Sequence, residues 1–282
     1  MTGPKQMNIL ITGCSSGIGR ALAEEFCKRG HRVFATARRL ESLGDCKGEN
    51  IERLPLDVTQ RDSMTCAVDA VVEKAGSLDM LVNNAGFGLF GAMRDLSLND
   101  FRRQLETNVT GPLALAQIAA ARMIEQGSGR IVNVSSVSGV LTTPFAGAYC
   151  ASKAALNSLT DAMRMELAPF GIDVILVQPG GVVSKFSDTA GRVLTGNIRE
   201  DSVYASIRKF IEARAQAGQM GAMDAGEFAR RVVSLLTQRQ VPRIIRLGAN
   251  SIKLPAYKWG LPGALVDKML SRKFGLNKLR KS

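Results

Sequence analysis

In 282 residues the chain has a single histidine, His31. That scarcity decides how "TGCSSGIG" (12–19) is read, because Gly13-Cys14-Ser15-Ser16-Gly17 fits G-x-S-x-G, the elbow that presents a nucleophilic serine. An elbow serine needs an acid and then a histidine further along the chain. Only Glu24 and Glu25 lie between Ser15 and His31, on the helix that the turn itself opens. One helix cannot bring nucleophile, acid and base into a hydrogen-bonded line, so a hydrolase is excluded. Cysteine is also informative by its pattern: five residues (14, 27, 46, 66, 150), an odd number with no C-x-x-C pair. Neither a disulfide framework nor a metal site is suggested, and reduced thiols in a cytoplasmic protein are expected. No stretch approaches the roughly 18 apolar residues of a spanning helix. No charged region followed by an apolar one precedes "MNILIT", which begins at Met7, so no secretory signal is expected. Acid is nearly absent from Arg239 onward, where eleven Lys and Arg residues face one Asp267; +10 of the net +12 sits there and the body is close to neutral.

Short β-branched runs alternate with longer amphipathic stretches. Strands are expected at 8–12, 32–37, 51–56, 79–83, 130–134, 173–177 and 243–247, with helical patterns such as "GRALAEEFCKRG" (19–30) between most of them. Several strands are almost wholly apolar, as when both faces of a parallel sheet are covered. The fold class is therefore α/β, a single Rossmann-type doubly wound parallel sheet with helices on both faces. The expected domain spans 1–250, followed by a basic amphipathic extension over 251–282. Residues 184–223 look irregular and form a candidate substrate lid.

The turn 12–19 follows the first strand and opens a helix, so free backbone N–H groups and the helix dipole face an anion. Gly13 permits the tight turn, Gly17 close backbone approach, and Gly19 helix packing. At the end of the second strand, where a carboxylate would bind the ribose hydroxyl of NAD, the chain reads Ala37-Arg38-Arg39. Arginine suits a 2′-phosphate, which favours NADP (NADPH) over NAD.

"YCASK" sets Tyr149 and Lys153 at i and i+4, on one helix face. A phenol is a poor acid or base at neutral pH; a nearby ammonium is expected to lower its pKa toward useful proton transfer. Ser136, in "NVSSVSG" after the fifth strand, is placed to hydrogen-bond and polarise a carbonyl oxygen.

In order, "TGCSSGIG" (12–19), "NNAG" (83–86), "NVTG" (108–111), "VSS" (134–136), "YCASK" (149–153) and "PGGV" (179–182) resemble the short-chain dehydrogenase/reductases over roughly residues 7–183. The resemblance implies a catalytic set of Asn108, Ser136, Tyr149 and Lys153. Tyr149 is then the general acid, Ser136 and Tyr149 meet the substrate, Lys153 also holds the nicotinamide ribose, and Asn108 orients a water in a proton relay. Cofactor contacts are implied for Gly13, Ser15, Ser16, Gly17, Ile18, Gly19, Arg38, Arg39, Asp57, Val58, Asn84, Ala85, Gly86, Tyr149, Lys153, Pro179, Gly180 and Val182. Ser184 departs from the threonine many members carry but keeps the hydroxyl. Of the serines at 135, 136 and 138, family spacing selects Ser136, thirteen residues before Tyr149. The nearest likeness is to 17β-hydroxysteroid dehydrogenases, retinol dehydrogenase-like proteins and bacterial NADP-dependent aldehyde reductases. It implies a small hydrophobic carbonyl or alcohol substrate, an aldehyde, retinal-like or keto-steroid-like, and a homo-oligomer. Phe87, Leu89, Phe90, Leu141, Phe145 and Phe186 are candidates for an apolar pocket or for ordinary core. The competing class is a catalytically silent NADP-binding sensor of the same fold.

In the tail, Pro262 is placed to start a helix with apolar residues at 265, 266, 269 and 270, then Phe274. Two destinations stay open: docking on the protein itself or a neighbouring subunit, and peripheral contact with an anionic membrane. Nucleic acid is not expected, since the body is near neutral and carries no binding motif.

Overall fold

The computed structural model describes residues 6–184 and 201–279. Phe186 and residues 185–200 of the proposed lid lie outside them. Seven strands, β1 (Asn8–Ile11), β2 (Arg32–Ala37), β3 (Ile51–Pro55), β4 (Met80–Asn83), β5 (Gly129–Val134), β6 (Ile172–Pro179) and β7 (Ile244–Leu247), form one sheet in the order β3-β2-β1-β4-β5-β6-β7. Every neighbouring pair is parallel. Alternation explains why the strands read as apolar runs. Ile9, Ile11, Val33, Ala35, Met80, Val82, Val132, Val134, Ile175 and Val177 enter one core. The residues between them, such as Leu10, Phe34, Leu81, Ile131 and Val174, enter the other.

The first core is closed by α1 (Gly17–Lys28), through Leu22 and Phe26, and by α7 (Ala225–Leu236), through Phe228, Val232 and Leu236. The second is closed by α2 (Arg61–Ala75), α4 (Gly111–Gln126) and α5 (Gly147–Leu167), which bring Val68, Leu115, Ala119 and Met163. Between α3 (Leu98–Leu105) and α4, residues Glu106–Thr110 form a π-helical turn. Such turns concentrate at functional positions.

Within the described part of the proposed lid the chain differs from the sequence expectation. Residues read as irregular contain α6 (Arg208–Gln216), preceded by a 3-10 turn at Ala205–Ile207. Ile207, Ile211 and Ala215 bury one face of this unit in a third cluster with Phe90, Phe145, Tyr149 and Phe274. Two further helices, α8 (Lys253–Gly260) and α9 (Gly263–Lys273), complete the described chain, with Pro262 capping the second as its position suggests. No described helix is long and apolar enough to cross a membrane.

Candidate active site

The sheet changes winding direction between β1 and β4, and the crevice outside the carboxyl ends of those strands is where a doubly wound fold binds its ligand. The glycine turn lies there. His31 sits before β2, at the opposite end of the sheet, where its Nδ1 accepts from the Met7 backbone N–H at 3.2 Å. Burial lowers its pKa. The one histidine is a strand-end tie, remote from Ser15, and the elbow reading fails in space as it does in sequence.

Thr12 and Asn84 clamp the turn. Buried Thr12 Oγ1 accepts from the backbone N–H groups of Asn84 and Ala85, each at 2.9 Å. The Asn84 amide donates back to the carbonyls of Thr12 (2.9 Å) and Gly13 (3.2 Å). Gly13 has φ +74, and a Cβ there would lie 2.9 Å from Ala85 Cα. At Gly19 a Cβ would lie 2.3 Å from the Gly13 carbonyl oxygen, so this glycine lets α1 close on the turn itself. Ser16, the residue before α1, makes no side-chain cap, and no acid occupies the first helical turn. Uncapped N–H groups with no carboxylate beside them suit a pyrophosphate, and the turn fits the phosphate-bearing part of a dinucleotide. Ser15 is exposed at its lip.

Arg38 and Arg39 emerge exposed from the end of β2, and neither side chain is tied to a described residue. Asp57 Oδ1 accepts from the N–H and hydroxyl of Thr59 at 2.9 and 2.8 Å, which fixes the loop after β3 beside buried Val58. Ala85 and Gly86 follow Asn84 over the crevice; a Cβ on Gly86 would meet Asn108 Oδ1 at 3.0 Å and Lys153 Nζ at 3.7 Å. Pro179 ends β6, Gly180 donates to the Leu247 carbonyl, and Val182 is buried against the Met223 strand bridge.

The catalytic candidates converge. Ser136 and Tyr149 are hydrogen-bonded through their side chains. The Ser136 hydroxyl also accepts from the Ser138 N–H at 3.0 Å, which holds its rotamer. Ser135 is turned away, donating to Asn157 Oδ1 at 2.6 Å, so the structure brings together the serine that spacing selected. Lys153, buried one turn beyond Tyr149, donates from Nζ to the Val134 carbonyl at 2.9 Å. That partner was not foreseen from sequence.

Two expectations change here. Tyr149 was expected to be pulled down by Lys153; instead burial pushes its phenol up to about 12, against opposing pulls from the Ser136 hydrogen bond and the Arg214 guanidinium. The ammonium itself is weakened, because the same burial lowers Lys153 to about 8. Tyr149 is thus a protonated donor at neutral pH. Asn108, on the π-helical turn, is fully buried with its side chain committed. Its amide donates to the Phe87 carbonyl (2.9 Å) and Ser152 Oγ (3.1 Å), and its Oδ1 accepts from the Phe87 N–H (3.1 Å). The side chain pins the segment after Gly86.

The wall beside Tyr149 is aromatic. Phe90 lies 5.8 Å from the Tyr149 ring, and Phe145 packs edge-on to Tyr204 at 6.0 Å. Phe145 has φ 63, a costly conformation for a residue with a Cβ, kept in place by its carbonyl accepting from Gly91 N–H at 2.9 Å. Phe90 and Phe145 pack with Tyr149 in one buried cluster, Leu89 and Leu141 are buried as well, and Phe87 packs under the Arg103 guanidinium.

A family model described as short chain dehydrogenase matches residues 7–192. A short-chain dehydrogenase of Penicillium crustosum, PC-15, is 38% identical over 240 residues, covering 84% of this chain and 86% of that protein. The NADPH-dependent 1-acyldihydroxyacetone phosphate reductase of Schizosaccharomyces pombe is 39% identical over 207 residues, covering 72% and 69%. A crystal structure of a short-chain dehydrogenase from Streptomyces avermitilis superposes with a TM-score of 0.78 at 29% identity, covering 99% of this chain and 100% of that one. A parallel sheet with a glycine cradle at its switch point, a buried Ser136–Tyr149 pair beside Lys153, and these likenesses together place the chain in the short-chain dehydrogenase/reductase family of nicotinamide-dependent oxidoreductases.

Proposed function

We propose that the chain is an NADP(H)-dependent carbonyl reductase, running as an alcohol dehydrogenase in reverse, whose substrate is a hydrophobic aldehyde or ketone. The observation that carries this reading is the Ser136–Tyr149 hydrogen bond set against the Phe90 ring: two O–H groups that can share one carbonyl oxygen, beside an apolar wall. The bound nicotinamide supplies the hydride. The turn 12–19 and the N-terminus of α1 hold its pyrophosphate, Arg38 and Arg39 its 2′-phosphate, and Lys153 its ribose hydroxyls. Asp57 and Val58 border the adenine, while Pro179, Gly180 and Val182 flank the ring. Tyr149 passes its phenolic proton to the carbonyl oxygen as that oxygen gains negative charge, and Ser136 donates a hydrogen bond to the same atom. The likeness to a reductase named for NADPH and for an acylated ketone phosphate supports both the cofactor and an elongated apolar substrate.

The test is NADPH consumption against aliphatic aldehydes, retinal and keto-steroids, with NADH in parallel. NADPH is expected to give the higher kcat/KM, and Arg38→Ala/Arg39→Ala to lower it about a hundredfold while NADH is unaffected, on the scale of charge-assisted hydrogen bonds. Equal use of NADH by the wild-type chain would remove the arginines from the cofactor site. NADPH binding with no carbonyl reduced would put the silent sensor ahead.

We propose that the tail serves both destinations expected for it, one on each face. Val266 and Phe274 are buried, the latter in the cluster around Tyr149, while Trp259, Leu265 and Met269 stay exposed among Lys258, Lys268 and Arg272. That outer face suits an anionic bilayer surface. Leu265→Glu/Met269→Glu is expected to cut co-sedimentation with phosphatidylserine vesicles several-fold and leave NADPH oxidation in solution unchanged. Undiminished co-sedimentation would end the membrane assignment.

A further inference from the structure

The cluster around Tyr149 contains one cation that the catalytic set does not use. Arg214, on α6, is half-buried, with its guanidinium carbon 5.3 Å from the Phe90 ring centre and 5.9 Å from that of Phe274. Phe90 is in turn 5.8 Å from the Tyr149 ring, so the guanidinium lies one aromatic ring away from the phenol. Its charge reaches both Tyr149 and Cys150, the nearest titratable groups; burial pushes both upward, so both are neutral at physiological pH. Among the described residues no carboxylate lies within ion-pair distance of Arg214. Its Nε donates to the buried Thr143 hydroxyl at 2.8 Å, which fixes the plane of the fork. The two terminal amino groups have no partner among the described residues.

This arrangement is costly unless something negative meets it. Removing a guanidinium from water is unfavourable, ring faces recover only a part, and the desolvation shows as a lowered pKa. A structural strut would not need a charge here, since methionine or leucine would fill the space between Phe90 and Phe274. An arginine anchored through Nε presents its other two nitrogens as a fork that matches carboxylate or phosphate oxygens.

We propose that Arg214 is a substrate-binding and specificity-determining residue, which selects carbonyl compounds carrying an anionic group, carboxylate or phosphate, joined to an apolar body. The proposal rests on the carbonyl reductase reading and adds the charge of its substrate. The reacting carbonyl lies at Ser136 and Tyr149, the apolar part against Phe90, Phe145 and Ile211, and the anion on the Arg214 fork.

Two measurements test it, only one of which needs turnover. In the first, kcat/KM is compared for a long-chain oxo-acid, its methyl ester and an oxo-alkyl phosphate. The wild-type chain is expected to prefer the anions over the ester by tenfold or more. Arg214→Met is expected to lower kcat/KM for the anions about tenfold to a hundredfold, mostly through KM, and leave the ester within a few-fold. Arg214→Lys should restore part of the loss. Equal losses for ester and anions would make Arg214 a packing residue and overturn the proposal. In the second, dodecanoate, dodecyl phosphate and dodecanol are titrated into the NADPH-loaded protein and Kd is measured. Either anion is expected to bind at least tenfold more tightly than the alcohol, with the advantage absent in Arg214→Met; which anion wins separates carboxylate from phosphate recognition. Equal binding of all three would overturn it. If no carbonyl is reduced yet the anion preference persists and depends on Arg214, the reductase reading fails and the anion site stands.

Discussion

Tyr149→Phe is expected to abolish the proposed carbonyl reduction and to leave NADPH binding intact. The variant keeps the ring that packs on Phe90 and removes the one oxygen that Ser136 holds in place. Positioned general acids contribute about 10²–10⁴-fold, and the upper half of that range is expected in kcat, because burial keeps the phenol protonated. The same burial sets a pH signature. With the phenol pushed up to about 12, the reduction rate should not fall on the alkaline side of neutrality, up to about pH 10, through loss of the tyrosine's proton. Steady-state kcat and a fluorescence titration with NADPH check both halves. A variant that retains a tenth of the wild-type rate would transfer the acid role to another group.

Lys153→Met should destroy activity and make the protein more stable. The folded ammonium titrates near 8, below its ordinary 10.5. Between those values the unfolded chain binds a proton that the native chain has released, so native stability rises with pH across that window; below pH 8 the burial penalty is present in full. That depression corresponds to about 3 kcal/mol, from which the hydrogen bond to the Val134 carbonyl removes about 1 kcal/mol when methionine leaves that oxygen without a donor. A gain of about 2 kcal/mol at pH 7 is expected in denaturant midpoints, shrinking to nothing or reversing by about pH 10.5. Destabilisation at pH 7 would mean that the buried charge is matched better than its surroundings indicate. Such a trade is what the proposed role of Lys153 predicts, a buried cation kept for its chemistry at the expense of the fold.

The seven strands were legible because each is buried on both faces: successive residues such as Ile9 and Leu10 serve opposite cores, and nothing but an apolar run satisfies both. The proximity of the candidate catalytic positions was legible because fixed offsets on a helix and strand-end loops translate into proximity; Ser136 and Tyr149 meet as their spacing implies. What depends on the third dimension was not. The α6 helix sits in a stretch of low overall hydropathy, although Ile207, Ile211 and Ala215 recur at helical spacing and would have marked it. The upward shift of Tyr149 follows from desolvation by residues scattered from Phe90 to Phe274, and an i, i+4 lysine says nothing about it. Arg214 is one basic residue among 37 Lys and Arg, distinguished only by the rings that enclose it. The π-helical turn that seats Asn108 leaves no mark in the pattern either.

Phe274 lies in the same cluster as Tyr149, though 125 positions separate them in the chain. The nucleotide crevice is assembled from segments no later than β7, whose edge supports Gly180, whereas the cluster around Tyr149 is complete only with Phe274, in the turn after α9. During synthesis the ribosome releases these parts in that order, at about 5–20 residues per second. On the proposed reading, a nascent or prematurely stopped chain therefore has the means to bind its dinucleotide before the cluster around Tyr149 is closed.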